Sequence, residues 1–332
     1  MATEFALIGA GRIGKVHIRA VNGMPDTSIR YIFDIHEPAA VELAAECNAE
    51  VTELDTIFTD DKVDAIIIAS ATDTHADLLK RCAAAGKAVF CEKPIDLDLA
   101  SAREVAKVVD DAGILCGLGF NRRFDPQFSA LHKRVSNGDI GDIETLLIIS
   151  RDPAPPPIEY VKVSGGLFRD MMIHDFDIAR WILNEEIDSV YATGSALVDP
   201  AIAAAGDVDT ATVTLKTRSG RLAIITNSRR CVYGYDQRIE AFGSSGMLQA
   251  MNNTDTNLVF SGDAGVTTET PQYFFLERYA EAYRLELTDF VSALQKGTAP
   301  LADHNDGVAS LQLAEAAIDS LASARAVKLS EY

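Results

Sequence analysis

The chain has 332 residues, of which 48% are hydrophobic and 24% charged, so its composition is that of a globular protein and not of a disordered or fibrous one. There are 30 lysine and arginine residues against 49 aspartate and glutamate residues, and the resulting net charge of −19 disfavours binding to nucleic acid or anionic lipid. The longest apolar runs are far shorter than the roughly 20 residues that span a bilayer, and no secretory signal is recognisable. At about 150 residues per domain, the length predicts two domains.

Cysteine usage predicts a reduced compartment. The five cysteines are odd in number, and no two of them show the two-residue spacing of a zinc or redox motif. We therefore expect a cytoplasmic protein whose cysteines serve as small apolar residues.

The first recognisable motif is a glycine-rich turn after a short apolar strand at residues 5–8. In it, Gly9 suits a tight turn, Gly11 allows close approach of a pyrophosphate, and Gly14 allows a helix to pack on the strand. Free N–H groups and the positive end of the helix dipole then favour phosphate binding. Asp34 ends the next strand, 20 residues after Gly14, where a carboxylate accepts hydrogen bonds from a ribose. A glycine-rich turn in an unrelated α/β fold is the alternative interpretation, but the flanking strands and the spaced acid favour a dinucleotide site.

Asp34 also bears on the choice of cofactor. A carboxylate at this position repels a ribose 2′-phosphate, and the next residues, Ile35-His36-Glu37, supply no arginine to bind one. The sequence therefore predicts NAD as the cofactor and not NADP.

Alternation of strands and helices continues to about residue 122, with further apolar strands at 65–69, 88–90 and 114–118. This pattern predicts a doubly wound parallel sheet, in which ligands bind at the carboxyl ends of the strands. We therefore expect cofactor contacts from two groups of residues. One group lies in the glycine turn and at the end of the next strand: Gly9, Gly11, Arg12, Ile13, Gly14, Asp34 and Ile35. The other group lies at the ends of later strands: Thr72, His75, Glu92, Lys93 and Arg122.

Cys91-Glu92-Lys93-Pro94 follows one of these strands and places a lysine at the predicted cofactor edge. A constrained or cis bond to the proline would fix the direction of Lys93. A surface lysine in a turn is the alternative interpretation of the same residues.

The second half changes character, and we predict a domain of residues 123–332 after an NAD-binding domain of residues 1–122. Its strands, joined by short turns, indicate a mostly antiparallel sheet in an α+β domain. The predicted strands are 144–150, 189–197, 210–217, 221–227 and 237–242, and the predicted helices are 126–137, 277–295 and 306–323.

A candidate acid–base group lies in the segment 165–177. If this segment is helical, Asp170 and His174 are four residues apart and share one face, with Asp177 three residues further on. A carboxylate beside an imidazole fixes its tautomer and raises its basicity, which suits a general base. An ordinary structural pair and a metal site are the alternatives; metal is disfavoured because no second histidine has ligand spacing here.

The stretch 227–238 is polar and aromatic where its neighbouring strands are apolar. It can be a solvated strand with packed tyrosines. It can also line a cleft, where its hydroxyl, carboxylate and guanidinium groups would suit a polyhydroxy substrate.

These motifs together resemble the Gfo/Idh/MocA oxidoreductases, and in particular their inositol dehydrogenase branch, over essentially the whole chain. The glycine turn and Glu92-Lys93-Pro94 are general to the superfamily. The features closer to the inositol branch are Arg151-Asp152-Pro153, the stretch from Asp170 to His174 and Tyr233-Gly234-Tyr235-Asp236.

The resemblance implies an N-terminal Rossmann domain, a C-terminal α+β domain with an open sheet, and oxidation of myo-inositol by NAD to 2-keto-myo-inositol. It also implies a homotetramer built through the open sheet face. Lys93, Asp170 and His174 match the catalytic positions, with His174 as the base. Arg122, Asp152 and Tyr235 match substrate-contacting positions.

Two other functions remain open at this point. The chain could be an NAD-linked dehydrogenase of another polyol or sugar, such as scyllo-inositol, because the choice between epimers depends on a few hydrogen bonds. It could also be a non-catalytic NAD-binding sensor, which would not need Lys93, Asp170 and His174 together.

Overall fold

A computed structural model describes residues 2–332, and its backbone divides into two compact units. One unit contains the chain up to Asp125 together with Glu281–Leu311, and the other contains Pro126–Ala280 and Gln312–Tyr332.

The first unit alternates strands and helices, as the sequence predicts. Its elements up to residue 125 are β1 (Thr3–Ile8), α1 (Arg12–Asn22), β2 (Thr27–Phe33), α2 (Glu37–Cys47), β3 (Glu50–Val51), α3 (Leu54–Thr59), β4 (Ala65–Ile68), α4 (His75–Ala85), β5 (Ala88–Cys91), α5 (Leu99–Ala112) and β6 (Cys116–Leu118).

The rest of the chain is a mixture of strands and helices without that alternation. Its elements are α6 (Pro126–Ser136), β7 (Ile143–Arg151), α7 (Ile158–Val161), α8 (Ile173–Leu183), β8 (Ile187–Ser195), α9 (Pro200–Ala204), β9 (Thr210–Thr217), β10 (Leu222–Ser228), β11 (Asp236–Gly243), β12 (Gly246–Ala250), β13 (Val259–Gly262), β14 (Gly265–Thr268), α10 (Phe275–Arg278), α11 (Ala280–Lys296), α12 (His304–Ser323) and β15 (Val327–Lys328).

The six strands of the first unit form one parallel sheet in the order β3-β2-β1-β4-β5-β6. Every residue of β4 and β5 is buried, as is typical of strands covered by helices on both faces. The strand order reverses between β1 and β4, and the carboxyl ends beside that point are where such folds bind dinucleotides. The predicted Rossmann sheet is confirmed.

Helix α11 and the start of α12 belong to the first unit, although they come last in sequence. One face of α11 buries Tyr283, Leu287 and Phe290, and Phe290 contacts the ring of Phe90. Apolar residues at this helical spacing complete the first core. The structural division therefore differs from a single boundary after residue 122, because pattern along the chain does not show which core a late helix covers.

The second unit is built on a seven-stranded sheet in the order β12-β11-β7-β10-β9-β8-β15, in which only the pair formed by β7 and β10 is parallel. The prediction of a mostly antiparallel sheet is confirmed. Alternate residues are buried on one face, where α8 packs, whereas Tyr191, Ile224, Phe242 and Met247 are exposed. One face of the sheet thus remains open in the isolated chain.

Two further properties concern the chain as a whole. No helix in the described chain has both the length and the apolar character needed to cross a bilayer. Four of the five cysteines are buried as thiols, in agreement with their predicted use as small apolar side chains.

Candidate active site

The glycine turn is constrained where glycine is required and open where a ligand would approach. Gly9 has a φ of +106°, and a Cβ there would lie 2.5 Å from the backbone of Ala69. A Cβ on Gly14 would lie 2.1 Å from the Gly9 carbonyl oxygen. By contrast, nothing lies within 4 Å of a Cβ placed on Gly11, which immediately precedes α1. This cradle at a helix N-terminus fits the pyrophosphate of NAD.

Asp34 ties the end of β2 to the glycine turn. Its Oδ2 accepts a hydrogen bond from the Ala10 N–H at 2.6 Å, and its Oδ1 accepts one from the His36 N–H at 2.8 Å. Each carboxylate oxygen keeps a lone pair for a ribose hydroxyl. The next residue, Ile35, is 96% exposed, so it is available to an adenine ring from solvent.

Two strand-end loops of the first unit are joined by a buried histidine. His75 lies at the start of α4, with Nδ1 2.8 Å from the Pro94 carbonyl oxygen and Nε2 3.2 Å from that of Ser70. Burial lowers the pKa of His75 below its usual value, so the ring is neutral and only one of the two nitrogens donates at a time. These contacts favour a supporting role for His75, with Thr72 more accessible in the turn before it.

The loop after β5 contains Glu92, Lys93 and a cis bond between Lys93 and Pro94. Glu92 Oε1 lies 2.7 Å from the Nε2 atom of buried His17, and Lys93 is half-buried. After β6, Arg122 is buried within a tight turn at Asn121–Phe124. The structure thus places the predicted strand-end residues at the nucleotide edge of one sheet, in one unit.

The segment around Asp170 is only in part a regular helix, which was the condition for Asp170 and His174 to share one face. Leu167–Met171 forms a wide π-turn, closed by the Met172 N–H donating to the Leu167 carbonyl, and α8 begins only at Ile173. The i, i+4 geometry of a regular α-helix therefore does not apply between Asp170 and His174. The carboxylate of Asp207 accepts from the Leu167 N–H at 3.1 Å and holds the start of this turn. Such turns often occur at functional sites.

Asp170 is fixed by two residues that we did not predict from the sequence. Tyr160 donates its hydroxyl to Asp170 Oδ1 at 2.9 Å, and Arg229 donates from Nη2 to Asp170 Oδ2 at 3.1 Å. Arg229 also lies 3.6 Å, from Nη1, from Oδ2 of Asp152. One guanidinium therefore bridges the predicted catalytic carboxylate and a predicted substrate-contacting one.

The charge on Arg229 is maintained by this arrangement. Its side chain is 3% exposed, and burial disfavours the charged form, but Asp170 and Asp152 outweigh that effect and raise the pKa of Arg229. A buried guanidinium between two carboxylates pairs with both of them and limits their rotation. Arg229 lies just after β10, within the polar stretch 227–238, so only its place in the sequence pointed to it. Nothing in the sequence pointed to Tyr160.

Tyr235 and His174 lie in the same unit but differ in their exposure to solvent. Tyr235 is buried with its ring edge-on to Tyr279, at a centroid distance of 5.9 Å, and its N–H donates to the Gln272 carbonyl. His174 lies half-buried at the start of α8. The adjacent Asp236 is fully buried and accepts from Tyr233 and Arg238, both at 2.7 Å, which assigns it a structural role.

Both units of the chain match models of known protein families. Residues 3–120 match the model of the oxidoreductase family with an NAD-binding Rossmann fold, and residues 128–249 match the GFO/IDH/MocA C-terminal domain. The chain is 48% identical to inositol 2-dehydrogenase of Rhizobium meliloti over 99% of this chain and 100% of that protein. This chain belongs to the Gfo/Idh/MocA oxidoreductase family.

Two further relatives cover the chain equally well. The myo-inositol 2-dehydrogenase of Thermotoga maritima is 45% identical over 99% of both chains. The crystal structure of a myo-inositol dehydrogenase from Corynebacterium glutamicum is 43% identical, covers 99% of both chains and superposes with a TM-score of 0.96. The family, its NAD-binding Rossmann domain and the α/β fold predicted from the sequence are thereby confirmed.

Proposed function

We propose that the protein is an NAD-dependent inositol 2-dehydrogenase that oxidises myo-inositol to 2-keto-myo-inositol. The observation that carries this proposal is the presence of Lys93, Asp170 and His174 in a chain that is similar along its whole length to enzymes named for this reaction. The first unit binds the cofactor, and the second unit supplies most of the groups that recognise the polyol.

The bound cofactor supplies a hydride acceptor. His174 removes the proton of the reacting hydroxyl, and the Asp170 carboxylate stabilises the resulting positive charge on the imidazole. Lys93 donates a hydrogen bond to the reacting oxygen and stabilises its developing negative charge. Since Arg229 and Tyr160 hold Asp170, that carboxylate is oriented before substrate arrives.

Recognition of the remaining hydroxyls falls to Arg122, Asp152 and Tyr235. Asp152 is an acceptor with one oxygen close to Arg229, and Arg122 is a donor. A polyol offers both a donor and an acceptor at every hydroxyl, so this mixture of groups suits it. The glycine cradle, Arg12, Ile13, Asp34, Ile35, Thr72 and Glu92 complete the proposed cofactor site, with His75 supporting its loops.

Initial-rate NADH formation by the purified protein tests this function. We would compare myo-inositol, scyllo-inositol, D-chiro-inositol, glucose and xylose, each with NAD and with NADP. Strong preference for myo-inositol with NAD is the expected result. Preference for another polyol would keep the reaction and overturn the substrate. Absence of turnover on all of them, with NADH still bound, would favour a sensor.

We also infer a homotetramer, assembled through the open face of the seven-stranded sheet. That face exposes Ile224 on β10 and Phe242 on β11. Apolar side chains on a sheet face favour an interface between copies. Light scattering after size exclusion should give the mass of four chains, and Ile224→Glu with Phe242→Glu should reduce it. An unchanged mass in the double variant would place the interface elsewhere.

The cytoplasm is the proposed location of the enzyme. Buried, unpaired thiols such as Cys82 and Cys116 are stable in a reducing compartment. Fractionation of cells that produce the protein, with a periplasmic marker as control, would test this location.

A further inference from the structure

The first unit contains a buried cluster of three titratable side chains behind Lys93. His17 comes from α1, Glu92 from the loop after β5, and Glu286 from α11, and ligand atoms of the three lie within 4.8 Å of one another. His17 is fully buried, and its Nε2 lies 2.7 Å from Glu92 Oε1. Three distant parts of the chain thus converge on one carboxylate at the nucleotide edge of the sheet.

We propose that His17 holds the Glu92 carboxylate in one orientation at the cofactor site, and that Glu286, which lies beside this pair without a hydrogen bond to it, sets the charge of the cluster. The orientation of Glu92 follows from its contacts, and the charge of the cluster follows from the groups around it. The inference rests on the proposed function only for the roles of Lys93 and the cofactor.

The two ends of the Glu92 carboxylate face different environments. Oε1 points inward to His17, whose ring packs edge-on against Phe90 with centroids 5.3 Å apart. Oε2 lies over Gly119, where an added Cβ would approach it to 2.8 Å. The side chain of Glu92 keeps 12% exposure, so the inward oxygen is anchored while the outer part of the carboxylate remains accessible.

Glu286 occupies a position where the helix pattern calls for an apolar residue. It lies between Tyr283 and Leu287 on the buried face of α11, it is 1% exposed, and neither of its carboxyl oxygens has a hydrogen-bond partner among residues 2–332. An unpaired buried carboxyl group destabilises a fold, and leucine would fill the same space. A functional role for Glu286 accounts for a residue that packing alone does not favour.

The charges around the cluster determine which groups are ionised. Burial and the charge of Glu92 raise the pKa of Glu286 well above its usual range, so Glu286 is a neutral acid near neutral pH. Burial likewise lowers the pKa of His75 and raises that of Cys91, so both are neutral neighbours. When His17 donates from Nε2–H, Glu92 Oε1 is the acceptor in this contact, and Glu92 directly precedes Lys93 in the loop.

A divalent cation is the competing occupant, because one imidazole and two carboxylates are also a metal-ligand set. The contact of 2.7 Å between His17 and Glu92 is already a hydrogen bond, and protonation of Glu286 removes a ligand charge. We therefore favour a proton over a cation at Glu286, and the experiment includes the metal as an outcome.

NADH binding, measured by fluorescence without any polyol, tests the proposal between pH 5 and pH 10. In the native protein, ionisation of Glu286 beside Glu92 should weaken binding of the anionic cofactor at high pH, by at least threefold more than in Glu286→Gln. Glu281→Gln removes an exposed carboxylate from the same helix and should keep the native pH profile.

His17 is tested with two variants at neutral pH. His17→Phe keeps an aromatic ring among Phe90 and Tyr283 but loses the hydrogen bond to Glu92, and the Kd for NADH should rise about five- to tenfold. His17→Gln restores a donor and should recover part of that loss. Thermal unfolding of each variant, with binding measured well below Tm, separates this effect from loss of the fold.

Three results would overturn the proposal. These are identical pH profiles for the native protein and Glu286→Gln, unchanged NADH affinity in folded His17→Phe, and one equivalent of tightly bound divalent metal that Glu286→Gln releases. Because no polyol is present, a failure of the inositol assignment would leave these results unaffected, and it would show only in the turnover assay.

Discussion

Each unit places two carboxylates next to a proposed catalytic residue, but the charge is compensated differently in the two units. In the second unit, Asp152 and Asp170 share the guanidinium of Arg229. In the first unit, Glu92 has only the imidazole of His17, and Glu286 has no cationic partner among the charges that act on it. Two carboxylates share a buried cation in one unit, whereas burial and a neighbouring carboxylate raise the pKa of Glu286 in the other.

This difference in charge compensation matches the function proposed for each unit. A general base needs an ionised carboxylate behind it to stabilise the imidazolium that forms during the reaction. The pyrophosphate of the cofactor, by contrast, is an anion, and a second negative charge near it would weaken binding. The substrate side therefore gains from a fixed cation, and the cofactor side gains from a proton.

Removal of Arg229 should produce the largest effect. Arg229→Met leaves the half-buried Asp152 and Asp170 without their buried cation, and removing one partner of a buried ion pair destabilises a protein by up to about 3–5 kcal/mol. Urea unfolding measures this change. Arg229→Lys is the matched control, since it keeps the charge and loses the bridging geometry. It should recover most of the stability but little of kcat/KM for myo-inositol. Native kcat/KM in Arg229→Lys would show that bridging is unimportant.

His174→Ala separates the chemistry of the second unit from cofactor binding in the first. Loss of a general base lowers turnover by about 10²- to 10⁴-fold. The Kd for NADH should remain within twofold, because the cradle at Gly9–Gly14 does not include the histidine. Stopped-flow NADH formation and fluorescence titration give the two values. A variant that keeps native turnover would exclude His174 as the base.

Asp34→Ala tests the cofactor side in the same manner. Removing this carboxylate abolishes its repulsion of a 2′-phosphate, so the ratio of kcat/KM for NAD to that for NADP should fall at least tenfold, which corresponds to about 1.4 kcal/mol. Turnover with saturating NAD should change much less. If the ratio does not move, Asp34 serves only to hold the Ala10 and His36 N–H groups.

Glu286→Gln should give the smallest change in stability, and the direction of that change with pH follows from the pKa of Glu286. The folded pKa of Glu286 is raised above the unfolded value of 4.5, so the native protein loses stability as pH rises from that value toward the raised one. Glutamine cannot ionise, and the variant should gain stability relative to the native protein as pH increases. A difference of 1 kcal/mol corresponds to about 2–4 °C in Tm for domains of this size. Equal Tm differences at pH 5 and pH 8.5 would contradict a protonated Glu286.

Local patterns were sufficient for most of the fold. Apolar runs at 65–69 and 88–90 predict buried parallel strands, and the glycine turn with Asp34 predicts the nucleotide edge, because these signals arise within short stretches of chain. Local patterns did not decide whether the segment 165–177 is a regular helix. Its first half is a π-turn whose start Asp207 holds from 40 residues away, and no local signal encodes that contact.

The sequence by itself determined the family and the NAD-binding turn, since both depend on residue types at short, fixed spacings. The catalytic roles of Lys93, Asp170 and His174 are predictions from the family resemblance. Only the tertiary structure decided that α11 completes the first core, that Arg229 bridges Asp152 and Asp170, and that Glu286 meets Glu92. Each of these facts joins residues far apart in sequence. Burial then sets the charge of the groups it brings together, because desolvation and neighbouring charges act through space and not along the chain.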